Sequence, residues 1–190
     1  MPDFKPIETE YKGYRFRSRL EARWAVFFDA CGVKWDYEVE GFDLGDGIKY
    51  LPDFVLYDVH GLRDDGVNND LYVEVKGRMT KADAEKIRRF HKEGARVLVV
   101  GCIPDGTDAH DIYENVFQEC YNDNNGVSYY NFETIDDDYF GAFPGVDKEG
   151  HFTLFGDDLN NLRDLDYEAT EKAYRAARQA RFEFGEKGGI

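Results

Sequence analysis

Four side chains in the first half of the chain have types and spacing that suit acid–base and metal chemistry: Glu21, Asp53, Glu74 and Lys76. Glu21 lies at the start of an amphipathic segment, and Asp53 follows Pro52. Glu74 and Lys76 stand two apart in the run Tyr72-Val-Glu-Val-Lys-Gly77. If that run is a strand, Val73 and Val75 point to one face and Glu74 and Lys76 project together from the other. Asp53 belongs to a strand that precedes this one by a short connection, and the two could pair. Two carboxylates on neighbouring strands make a hard oxygen site suited to Mg²⁺ or Mn²⁺. A lysine two residues from a ligand reaches the same waters. It can orient or deprotonate an attacking water and offset negative charge in the transition state. Gly77, without a side chain, would let the chain turn away and a phosphate backbone come close.

The elements that must position these groups follow from periodicity. Ser18 is an N-cap with Glu21 three residues on, a capping-box arrangement. Leu20, Trp24, Phe27, Phe28 and Cys31 then recur at helical spacing until Gly32, which predicts a helix over 18–31. Val33 to Glu40 alternates as a strand. Gly45-Asp-Gly47 marks a turn, and Ile48 to Tyr57 forms a second strand interrupted by Pro52. Leu71 to Val75 is a third strand. Thr80 caps a helix over 81–93 with an apolar stripe of Ala84, Ile87 and Phe90, and 96–101 reads as a buried strand. The order is helix, strand, strand, strand, helix, strand, an α/β core with a mixed sheet. Beyond it, the pattern gives a short helix over 109–120 and a strand over 127–135. A loop-rich stretch over 142–163 follows, with a short strand at 152–155. An Ala- and Arg-rich helix over 166–184 ends the pattern.

Pro52-Asp53 … Glu74-Val75-Lys76, with Glu21 upstream and that order of elements, resembles the PD-(D/E)xK nuclease superfamily. Ser18-Arg-Leu-Glu-Ala-Arg-Trp-Ala-Val-Phe-Phe28, Tyr50-Leu-Pro-Asp-Phe54 and Val73-Glu-Val-Lys-Gly77 are most similar to small phage or mobile-element endonucleases and to resolvase-like members. The resemblance covers about residues 12–101. It implies a restriction-endonuclease-like core (α-β-β-β-α-β) and a Mg²⁺-dependent endonuclease that hydrolyses DNA phosphodiester bonds. Asp53, Glu74 and the main-chain carbonyl of Val75 would be metal ligands, Lys76 would serve the nucleophile, and Glu21 would complete or flank the metal site. One departure stands out: the second helix shows Lys86-Ile-Arg-Arg-Phe90 where the RecB-like branch carries Gln-x-x-x-Tyr.

The charge of the chain bears directly on that expectation. The formal net charge is −15 over 190 residues, and taken alone it opposes a polyanionic partner. The charge is unevenly spread, however. Residues 1–101 are close to neutral at −2, while 102–166 hold 2 basic against 16 acidic residues. The sequence therefore divides into a nuclease-like core over 1–101 and an acidic C-terminal extension over 102–190, packed on the core and ending in a helix. Lys12, Arg15, Arg17, Arg19 and Arg23, interleaved with aromatics, look like a phosphate-gripping edge for duplex or branched DNA. Arg175, Arg178 and Arg181 share one face of the last helix and could extend that surface or dock against the acidic segment. The alternative to an enzyme is an inactive nuclease fold that binds or inhibits a protein partner through the acidic segment 102–166, as a docking surface or DNA mimic. A homodimer is expected for duplex cutting. Three scattered cysteines, no signal-peptide pattern and no long apolar run point to a soluble intracellular protein with no membrane partner, and the resemblance to phage endonucleases implies the cytoplasm of a bacterial host.

Overall fold

Ser18 starts the first helix as the sequence predicts. Its hydroxyl accepts the Glu21 amide at 3.2 Å, and α1 runs over Arg19–Ala30. Gly32, at φ +72°, takes the left-handed conformation that lets the chain leave the helix. The computed structural model describes residues 6–59, 70–77, 80–104, 130–131, 140–141, 143–155 and 162–182.

Before α1, β1 (Thr9–Tyr11) and β2 (Tyr14–Phe16) form a hairpin. After it come β3 (Trp35–Tyr37), the small β4–β5 hairpin (Phe42–Asp43 and Lys49–Tyr50), β6 (Phe54–Leu56) and β7 (Leu71–Val75). Then follow α2 (Lys81–Lys92), β8 (Val97–Val100), β9 (Tyr130–Asn131), β10 (Phe140–Gly141), β11 (Phe143–Val146), β12 (Phe152–Phe155) and α3 (Tyr167–Gln179). The main sheet has the order β10-β9-β8-β7-β6-β3. Among the described residues only β7 and β8 run parallel, joined across α2, so the sheet is mixed. The protein is thus α/β with a mixed sheet and three α-helices among the described residues.

Two apolar layers hold the sheet. On one face Val73, Val75, Leu98 and Val100 meet Trp24, Phe27 and Phe28 of α1. On the other, Val97 and Val99 meet Ile87 and Phe90 of α2, together with Tyr50. Alternation along β7 and β8 puts successive residues into different layers, as pleating requires. The larger layer also takes in Phe143, Phe155 and Tyr174, so it draws on residues from both sides of Gly101. Tyr174 is fully buried, stacks on Phe27 with ring centroids 4.3 Å apart, and donates to the Pro144 carbonyl at 2.7 Å.

Several expectations change. The strand expected over 33–40 narrows to Trp35–Tyr37, because Glu38 turns the chain at φ +47°. The strand over 48–57 splits at Pro52, whose missing N–H ends the ladder. Its first part pairs with β4 in a separate sheet, and its second part enters the main sheet. The 142–163 stretch contains a four-residue hairpin partner, β11, that the Phe-Pro-Gly-Val wording concealed. The expected helix over 109–120 lies outside the described residues, as does most of 127–135, of which Tyr130–Asn131 is strand. The last helix stops at Gln179 and packs its Ala173, Tyr174 and Ala177 face into the core beside α1.

Candidate active site

The β6–β7 pairing brings the central groups together. Phe54 faces Val73 in the antiparallel register, so one residue further on Asp53 lies opposite Glu74. Residues directly opposite in an antiparallel pair project to the same side. Both carboxylates are buried, at 2% and 4% exposure. Asp53 Oδ2 accepts the Val75 amide at 2.7 Å, which fixes the carboxylate against the strand that carries Glu74. Lys76, one turn of the pleat beyond, places Nζ 2.6 Å from Glu74 Oε1. Val73 and Val75 belong to the α1 layer, so the alternation expected from the sequence holds on β7.

The remaining contacts of these carboxylates come from residues that the sequence did not mark for this site. Tyr50, in the α2 layer, donates its hydroxyl to Glu74 Oε2 at 2.7 Å. Arg17, expected at a DNA-gripping edge, stays more than half exposed and pairs with the site from its solvent side. Its guanidinium lies 2.5 Å from Asp53 Oδ1 and 2.8 Å from Glu38. Tyr37, on β3, donates to Glu21 Oε2 at 2.5 Å. Glu21 also accepts the Ser18 hydroxyl at 2.7 Å and the Arg17 amide at 3.1 Å. It is a buried carboxylate closing the start of α1, close enough for its charge to act on Asp53. Tyr37 and Tyr50 were partly legible. Both take inward positions on short strands that flank the acidic residues, and a buried phenol seeks an acceptor.

Electrostatics follow from this crowding. Burial and the charge of Glu74 push the Asp53 carboxyl up to about 7, against the pull of the Val75 amide. The Arg17 guanidinium works in the same downward direction. Burial works to lower the Lys76 pKa, but Glu74, with Asp53 and Asp83 behind it, holds it above the usual lysine value. Burial and Glu74 likewise raise the Tyr50 phenol, which stays a donor. Gly77 is not required by protein packing, since a Cβ there would meet only Leu20, at 4.0 Å.

Among the described residues, no three His, Cys, Asp or Glu side chains converge as a ready metal cage. The donor set nevertheless suits a hard divalent cation. Two opposed, mutually repelling carboxylates supply oxygens, and Mg²⁺ takes its remaining ligands from water and phosphate. Such a cation would compete with Arg17 for Asp53 and with Lys76 for Glu74.

The expected phosphate-gripping edge divides. Lys12 pairs with Asp29 at 2.8 Å, Arg15 pairs with Glu8, and Arg17 is drawn to Asp53 and Glu38. Arg19 and Arg23 instead line a cleft between α1 and the end of α3. No helix among the described residues is long and apolar enough to cross a membrane. No protein-family model, curated protein or solved structure matches the chain.

Proposed function

We propose that this protein is a Mg²⁺-dependent DNA endonuclease of the PD-(D/E)xK type, of phage or mobile-element origin, with a restriction-endonuclease-like core. One observation carries the reading: Asp53 and Glu74 oppose each other in register, with Lys76 held against Glu74 on the same side. The order of elements around the main sheet, α1-β3-β6-β7-α2-β8, supports it. Asp53, Glu74 and the Val75 carbonyl would hold the metal. A bound Mg²⁺ would supply positive charge to the phosphoryl oxygens and lower the pKa of the attacking water. Lys76, kept cationic beside Glu74, donates hydrogen bonds that orient the nucleophile and offset charge at the phosphorus. Tyr50 holds Glu74 in place from below, and Tyr37 does the same for Glu21 at the start of α1.

The test is cleavage of plasmid and branched DNA in Mg²⁺ or Mn²⁺ by wild type, Asp53→Ala and Lys76→Ala. Each substitution is expected to slow cleavage roughly 100-fold or more. Equal cleavage by all three proteins overturns the assignment.

The Arg17–Asp53 ion pair favours a second reading, in which a cation of the protein itself holds the carboxylate and the fold binds a partner without hydrolysis. Calorimetric titration with Mn²⁺ separates the two. Binding that Asp53→Ala abolishes supports the nuclease, whereas no binding by wild type supports the binding protein.

A further inference from the structure

Four arginines, from α1, from α3 and from the residues just after α3, face one cleft of about 770 Å³. Arg19 and Arg23, four residues apart, come from the first turns of α1. Arg178 belongs to the last turn of α3, and Arg181 follows it. Gln179, Ala180 and Phe182 complete the wall, and no acidic residue lines it among the described residues. Such a local gathering of positive charge is unusual for a chain of net charge −15.

The cluster is held in place by packing. α1 and α3 are locked together by the Phe27–Tyr174 stack. Arg178 donates to the Pro104 carbonyl. Phe182 meets the edge of Tyr11, with ring centroids 6.1 Å apart. The Arg23 Nε is buried and finds no acceptor among the described residues. Guanidinium groups stay charged at all physiological pH and present planar forks that match phosphate oxygens.

The position of the cleft indicates which phosphates it takes. A methyl of Leu20, next to Arg19, lies 4.0 Å from where a Cβ on Gly77, the residue after Lys76, would stand. The same helix turn therefore links the cleft to the end of β7, where Glu74 and Lys76 sit. We propose that this α1–α3 arginine cleft binds backbone phosphates of duplex DNA and leads the strand toward the Asp53–Glu74 site. The strand direction rests on the nuclease reading, while the binding itself does not.

The experiment is fluorescence anisotropy of a labelled DNA duplex, in chelator so that no metal-dependent cleavage occurs. It compares wild type with the double variant Arg23→Gln/Arg181→Gln, whose folding is checked by thermal melting. Loss of two phosphate contacts is expected to weaken binding at least about tenfold and to make the plot of log affinity against log salt shallower by about 2. Unchanged affinity and slope overturn the proposal, and with a lowered melting temperature they assign the arginines an internal structural role. Tight binding of inorganic phosphate by wild type, with no binding of DNA, also overturns it in favour of a free-anion site. Cleavage by Asp53→Ala is measured beside it. Weakened DNA binding by the arginine variant together with undiminished cleavage by Asp53→Ala would sink the nuclease reading and leave the cleft standing. The reverse pair of results would do the opposite.

Discussion

Asp53 is pulled in two directions. The Val75 amide and Arg17 favour its charged form, while burial and Glu74 favour its neutral form, and the second pair prevails. Its folded pKa, about 7, lies above the ordinary 3.8. The native protein therefore keeps a proton that the unfolded chain releases, and stability falls as pH rises between those two values. The loss runs at up to about 1.4 kcal/mol per pH unit within that window. Asp53→Asn removes the titration while keeping an acceptor for the Val75 amide. In chelator, the unfolding free energy of the variant relative to wild type is expected to grow in the variant's favour from about pH 4 to about pH 7. Denaturant melts across that range check this, and a difference that stays flat with pH would refute it. The same strain gives a divalent cation its opening, since a metal ion neutralises the repulsion that the protein tolerates without one.

At the scale of elements, the β11–β12 hairpin and α3 are joined by a close approach at Gly145. A Cβ there would lie 3.0 Å from Thr170 Oγ1, 3.1 Å from Thr170 Cγ2 and 3.2 Å from Leu165 Cδ1. Both neighbours are buried, and the Thr170 hydroxyl accepts the Val146 amide at 2.9 Å, so neither can easily move aside. Gly145→Ala is expected to cost about 1–3 kcal/mol by overpacking. In a chain of this length that lowers the melting temperature by roughly 2–4 °C for each kcal/mol. A melt indistinguishable from wild type would show that the contact yields freely. Because α3 carries Arg178, any loosening here also reaches the arginine cleft.

At the scale of the molecule, the acidic and near-neutral halves share one apolar layer. Phe143, Phe155, Tyr174 and Ala177 pack in the same layer as Trp24, Phe27 and Phe28 of α1. A chain ending at Gly101 would keep the Asp53–Glu74 strands but lay bare the aromatic face of α1. Such a truncation is expected to lose cooperative unfolding and to bind a hydrophobic dye such as ANS. Cooperative melting without dye binding would show that the first half is a self-sufficient domain. The net charge takes on a narrower meaning as well. It is not a uniform field, since four arginines gather in one cleft that no acidic residue lines among the described residues.

Local rules made much of this legible. Ser18 and Thr80 as caps, the Ala84–Ile87–Phe90 stripe and the alternation through Tyr72–Lys76 depend on neighbours within a few residues, so periodicity and capping chemistry reveal them. The pairing of Asp53 with Glu74 was legible only as an expectation, because strand register depends on which faces are buried. Spacing and residue type suffice to place Glu74 and Lys76 on one side of their strand and to break the preceding strand at Pro52. Long-range packing alone brings Arg17 to Asp53, sets Tyr50 and Tyr37 against the carboxylates, and gathers arginines more than 150 positions apart in one cleft. The physical reason is that charge pairing and helix packing join residues far apart in the chain. Neither leaves a period in the sequence.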